Sequence, residues 1–130
     1  MTTQAKYKIL IVEDETPLMN ALRDKLVREG FMAFGAKNGE EGLKTALEEH
    51  PDLILLDLVM PKMDGMTMLK KLRSQNEWGK TARVIILTNL TSADEQRNRD
   101  VAENEPSYYL VKSDWKIEDV VKKIKEELGL

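Results

Sequence analysis

Two apolar runs in this chain end on carboxylates: Ile9-Leu10-Ile11-Val12 leads into Glu13-Asp14, and Leu53-Ile54-Leu55-Leu56 leads into Asp57. If both runs are parallel strands, three acids meet at one sheet edge. Like charges about 4 Å apart repel by roughly 4 kcal/mol per pair at an effective dielectric near 20, so the cluster demands a cation or a proton. A hard divalent ion that takes oxygen ligands and keeps several waters, Mg²⁺, suits such a set. Two further apolar runs end on Thr88 and just before Lys112. A hydroxyl donor and an ammonium on the same rim suit a phosphoryl group. Taken singly, each residue also has an ordinary reading: a solvated acidic turn, a strand-end acid, a strand-end hydroxyl and a surface lysine. Their coincidence at the ends of four apolar runs carries the argument.

Short apolar segments alternate with longer amphipathic ones, which places strands near 8–12, 31–36, 53–57, 83–88 and 107–111 with helices between them. Leu53 to Leu56 and Val84 to Leu87 lack polar alternation, as strands covered on both faces by helices require. The expected fold is a single α/β domain spanning 1–130, core about 7–128, with a five-stranded parallel sheet and five helices. Thr16 is the expected cap of the first helix with Pro17 at its first position, and Leu18, Leu22 and Leu26 form its inner stripe. The second helix starts at Gly39 or Glu40 and stops before Pro51. The third follows the Asp64-Gly65 turn and packs Leu69 and Leu72. A fourth, over about 92–104, has little to bury. In the last, Ile117, Val120, Val121, Ile124 and Leu128 recur at helical spacing. Trp78, Trp115 and the methionines at 60, 63, 66 and 68 read as packing residues, and His50 before Pro51 reads as a helix-end residue.

Composition narrows the function. Twenty Lys plus Arg against 23 Asp plus Glu give a net charge of −3, with no basic excess for nucleic acid. There are no cysteines, which excludes disulfides and thiolate metal sites. No apolar stretch approaches the roughly 20 residues that span a bilayer, and Met1 to Lys8 is polar. A cytoplasmic protein without membrane insertion is expected.

Glu13-Asp14, Asp57, the stretch Met60-Pro61-Lys62-Met63-Asp64-Gly65, Thr88, Tyr109 and Lys112 together resemble the receiver domain of two-component response regulators, over nearly the whole length. The resemblance implies a flavodoxin-like, doubly wound sheet of order 2-1-3-4-5. It implies that Asp57 takes a phosphoryl group from a histidine kinase or phosphotransfer protein. By the same resemblance Glu13, Asp14, Asp57 and the Val59 carbonyl hold Mg²⁺, Lys112 and Thr88 contact the phosphoryl group, and Thr88 with Tyr109 forms a switch. A downstream effector protein or domain is the implied partner, and phosphorylation-dependent dimerisation is compatible with it.

The chain departs from that pattern around strands four and five. Asn89 stands where a small residue is usual, Ser113 where a cis proline is usual, and Glu105-Pro106 where Gly-Ala is common. Val59 and Leu90 are apolar at positions where polar groups orient an attacking water, which implies a long-lived acyl phosphate. A degenerate receiver that binds partners without phosphate is one alternative. A Mg²⁺-dependent phosphatase with an aspartate nucleophile is another, disfavoured because Val59 replaces its general acid. A nucleotide or flavin binder is disfavoured by the acidic, glycine-free loop Glu13 to Pro17.

Overall fold

The computed structural model describes residues 7–89, 106 and 108–130. Five strands, β1 (Lys8–Val12), β2 (Met32–Ala36), β3 (Leu53–Leu56), β4 (Val84–Thr88) and β5 (Tyr108–Val111), form one parallel sheet in the order β2-β1-β3-β4-β5. The described helices are α1 (Thr16–Arg28), α2 (Gly39–Glu49), α3 (Gly65–Gln75), a short α4 (Glu77–Thr81) and α5 (Ile117–Glu127). The expected helix over 92–104 and Leu90 lie outside the described residues. The short α4 was not anticipated. It begins because the Asn76 side chain accepts the Gly79 N–H, a cap signal hidden among polar residues.

The unalternating strands are explained by two cores. On one face Ile9, Ile11, Leu53, Leu55, Ile85, Leu87 and Leu110 pack under α1 and α5; on the other, Leu10, Val12, Ile54, Leu56, Val84 and Ile86 pack under α2 and α3. Leu22 and Leu26 of α1, Leu69 and Leu72 of α3, and Val120, Val121 and Ile124 of α5 are buried as their spacing predicts. Burying one such side chain is worth about 1.5–3 kcal/mol before entropy is charged, so these stripes hold the layers on the sheet. Lys125 of α5 also pairs with Glu29 at the end of α1. Met60 and Met68 are buried and Met63 and Met66 pack beside them. Trp78 lies flat on His50, with ring centroids 4.3 Å apart. His50 itself ends α2 in the left-handed region at φ 46°.

The start of α1 differs from expectation by one residue. Glu15, not Thr16, is the cap, because its carbonyl accepts the Met19 N–H at 2.9 Å while its own N–H is held by the Glu13 carboxylate at 3.0 Å. Thr16 and Pro17 are therefore the first two helical residues. No cis peptide occurs among the described residues; after β5 the chain enters a single 3₁₀ turn, Lys112–Asp114.

Candidate functional site

Backbone register brings the acids together. Val12 of β1 lies beside Leu56 of β3, and the ladder continues one step: Asp57 N–H donates to the Val12 carbonyl at 3.0 Å and Glu13 N–H to the Ala36 carbonyl at 2.9 Å. In a parallel sheet side chains alternate with period two. Glu13 follows Ile9 and Ile11, Asp57 follows Leu53 and Leu55, and Lys112 follows Leu110, so all three share the parity of the α1 and α5 face. Glu13 and Asp57 are buried, at 3% and 5% exposure, while Asp14 is exposed.

Lys112 reaches both buried acids. Its Nζ lies 2.7 Å from Glu13 Oε1 and 3.2 Å from Asp57 Oδ2, and 3.2 Å from Glu15 Oε1 at the rim. Asp57 Oδ1 accepts the Val59 N–H at 3.3 Å, which fixes the other side of the carboxylate. Burial pushes the Glu13 carboxyl up to about 7; the Lys112 hydrogen bond works against that rise and the Asp57 charge adds to it. Burial alone would lower the Lys112 ammonium, but the Glu13 hydrogen bond and the Asp57 and Glu13 charges together raise it.

An open cleft of about 330 Å³ lies over these groups, lined by Asp14, Glu15, Asp57, Val59, Thr88, Asn89 and Lys112. Thr88, fully buried at the end of β4, partners Val111 in register. Single oxygens of Glu13, Asp14 and Asp57 lie within 4.8 Å of one another. Three hard oxygen donors, two buried and one exposed at an open cleft, fit an ion that keeps part of its water shell, as Mg²⁺ does. The cleft thus brings a buried carboxylate, a cation, a hydroxyl and an oxygen cage around one space.

Every residue singled out at the strand ends therefore lies in or beneath this cleft. Tyr109 does not line it; it is half-buried against the α2 and α3 side core. Val59 stands 57% exposed beside Asp57, an apolar side chain at the mouth. Sequence reasoning missed two participants. Glu15 lies in the acidic loop Glu13 to Pro17, and no sequence signal marks its carboxylate as a partner of Lys112. Gly65 was read as a turn residue, yet a Cβ there would sit 2.0 Å from the Asp57 carbonyl oxygen. Only glycine lets α3 start against the backbone of the acid.

A family model described as "Response regulator receiver domain" matches residues 9–125. Among curated proteins, the sporulation initiation phosphotransferase F of Bacillus subtilis (strain 168) is 41% identical over 81 residues, covering 62% of this chain and 63% of that protein. The alkaline phosphatase synthesis transcriptional regulatory protein PhoP of the same organism is 47% identical over 68 residues, 52% of this chain and 28% of that protein. The chain spans less than two thirds of the length of these relatives. Among solved structures, a CheY-like response regulator receiver domain protein from Methanospirillum hungatei JF-1 is similar with a TM-score of 0.84 and 27% identity, covering 95% of this chain and 94% of that one. A chain of the CheX-CheY-BeF3-Mg+2 complex from Borrelia burgdorferi is similar with a TM-score of 0.79 and 29% identity, covering 94% of this chain and 89% of that one.

Proposed function

The chain belongs to the response regulator receiver domain family, whose shared function is accepting a phosphoryl group in two-component signalling, and from that premise we propose that Asp57 is the acceptor in a Mg²⁺-dependent transfer from a histidine kinase or phosphotransfer protein. One carboxylate oxygen of Asp57 attacks phosphorus as the P–N bond of the donor phosphohistidine breaks. The bonding pair and then a proton go to the imidazole, and an acyl phosphate is left on Asp57. Lys112, 3.2 Å from Asp57 Oδ2, holds the carboxylate and then donates to the phosphoryl oxygens. Thr88 gives its hydroxyl from the end of β4. Glu13, Asp14, Asp57 and the Val59 carbonyl would hold Mg²⁺, which when bound offsets the charge of the phosphoryl oxygens. In this scheme catalysis is positioning and charge stabilisation.

The observation that carries this reading is a buried carboxylate, laddered into the sheet, paired with an equally sequestered ammonium and lining an open cleft. The similar Borrelia chain occurs with BeF3 and Mg+2, which supports the same use of the pocket. The added charge of about −2 on Asp57 would bias Thr88, Tyr109 and the face around β5 and α5 toward a second arrangement read by a downstream protein in the cytoplasm. A phosphatase reading lacks a proton donor, since Val59 is apolar. The same side chain offers nothing to orient an attacking water, so the acyl phosphate is expected to persist.

Incubation with acetyl phosphate and Mg²⁺, followed by intact mass, tests the proposal. One added phosphoryl group is expected on the wild type and none on Asp57→Asn. A protein that stays unmodified, or is modified equally in the variant, would overturn it.

A further inference from the structure

An ammonium has three N–H donors, and Lys112 faces three carboxylates: Glu13 Oε1 at 2.7 Å, Asp57 Oδ2 at 3.2 Å and Glu15 Oε1 at 3.2 Å. Its donor capacity is full before any phosphoryl group arrives. To bond a phosphoryl oxygen, Lys112 must release one partner. Glu13 and Asp57 are nearly sealed from water, whereas the Glu15 side chain is 53% exposed and recovers hydration at once when released. Glu15 stands at the start of α1, makes no capping bond, and accepts instead from a residue 97 positions away.

Resting on the phosphoryl-acceptor reading above, we propose that Glu15 is a specificity-determining residue for the transfer: its carboxylate occupies the Lys112 N–H that the phosphoryl group must take, and its charge at the cleft mouth discriminates against small, strongly anionic phosphodonors. Both effects share one cause. A donor enters past Glu15, so each negative charge it carries is opposed, and Lys112 is freed only when a phosphoryl oxygen replaces Glu15. A phosphohistidine presented by a docked protein meets the same fence with binding contacts elsewhere to offset it. A free small-molecule donor has none.

The test compares wild type with Glu15→Gln, which keeps length and removes charge, using acetyl phosphate, a near-dianion, and phosphoramidate, which carries about one net negative charge. With acetyl phosphate the Asp57–phosphorus bond forms as the donor's phosphorus–oxygen bond breaks and acetate leaves. The variant is expected to be phosphorylated about three- to fivefold faster by acetyl phosphate at low ionic strength, the range of an exposed charge pair. The gain should be smaller with phosphoramidate and should shrink as salt rises and the Debye length falls below about 10 Å. Glu15→Asp, charged but too short to hold Lys112, is expected to keep the donor preference and lose part of the brake. Equal rates for Glu15→Gln and wild type, or an equal gain with both donors, would overturn the inference while leaving Asp57 as acceptor. Slower transfer with weaker Mg²⁺ affinity by Trp fluorescence would make Glu15 a metal partner and also overturn it. A wild type inert to both donors would instead remove the underlying reading.

Discussion

Replacing Gly65 by alanine should damage both stability and phosphorylation, and the size of the effect follows from a single contact. A Cβ at this position would lie 2.0 Å from the Asp57 carbonyl oxygen and 2.8 Å from both the Asp57 carbonyl carbon and Leu58 Cα. All three are backbone atoms, so no rotamer change relieves the clash, and α3 or the β3 exit must move by about 1 Å in a close-packed region. The Gly65 N–H bond to the Leu58 carbonyl, 3.0 Å, ties the same two segments together and resists that movement. Alanine gains at most about 1 kcal/mol of helix propensity, and less at a first helical residue. Overpacking costs about 1–3 kcal/mol and sits at the upper end where backbone is displaced. The net loss is about 2 kcal/mol, or about 5–10 °C in Tm for a chain of this length. Because the displaced segment carries Asp57, the proposed acceptor, a shift near 1 Å should also slow acetyl phosphate transfer about tenfold or more. Urea unfolding and a phosphorylation time course measure the two effects on the same sample. A variant within about 0.5 kcal/mol of wild type that phosphorylates at a normal rate would refute the argument, since that margin is the scatter of harmless surface changes.

Lys112→Met should destabilise the protein by about 2–4 kcal/mol in metal-free buffer, because it leaves two buried carboxylates facing each other without their cation; Mg²⁺ should restore part of the loss, and an unchanged urea midpoint would contradict this. The pH dependence has a defined sign at Glu13. Its folded carboxyl is raised from 4.5 to about 7, so between those values the folded protein binds more protons than the unfolded chain and the Glu13 contribution to stability falls as pH rises. Glu13→Gln should therefore gain on wild type by about 1–3 kcal/mol from pH 5 to 7.5 without metal, read as the difference in urea midpoints; a constant difference would rule out the buried acid as its source. Phosphorylated protein, isolated and returned to Mg²⁺ buffer, should lose its phosphoryl group over minutes or longer, and a lifetime of seconds would show that exposed Val59 does not limit water.

The strands and four of the described helices were legible because their apolar residues are dictated by burial. Leu53 to Leu56 has no polar member since both its faces are covered, and Val120, Val121 and Ile124 recur at the spacing one helix face demands. The site was legible for the same reason: an acid directly after such a run has nowhere to go except the sheet edge. What stayed hidden depends on single hydrogen bonds. The cap on α1 is displaced because the Glu13 side chain, an element away in function but two residues away in sequence, holds the Glu15 N–H. The short α4 depends on one Asn76 oxygen, and Arg73, which donates to the carbonyls of Gly79 at 2.8 Å and Ala82 at 2.7 Å, anchors its far end. No periodicity announces these contacts. Strand order is also beyond periodicity: the fully buried β3 and β4 carry no mark of which interior place each takes, and only β2 and β5, with exposed residues, are edge strands.

The acids at the head of the sheet take their address from main-chain atoms: Glu13 is bonded through its amide to Ala36, and Asp57 through its amide to Val12. Neither anchor depends on which side chains fill the layers below. Substitutions that keep the strands paired and the interior filled leave both amide anchors in place, so the hydrophobic sequence can drift around the same two backbone positions. The surfaces that choose partners are then free to diverge around an unmoving reactive centre.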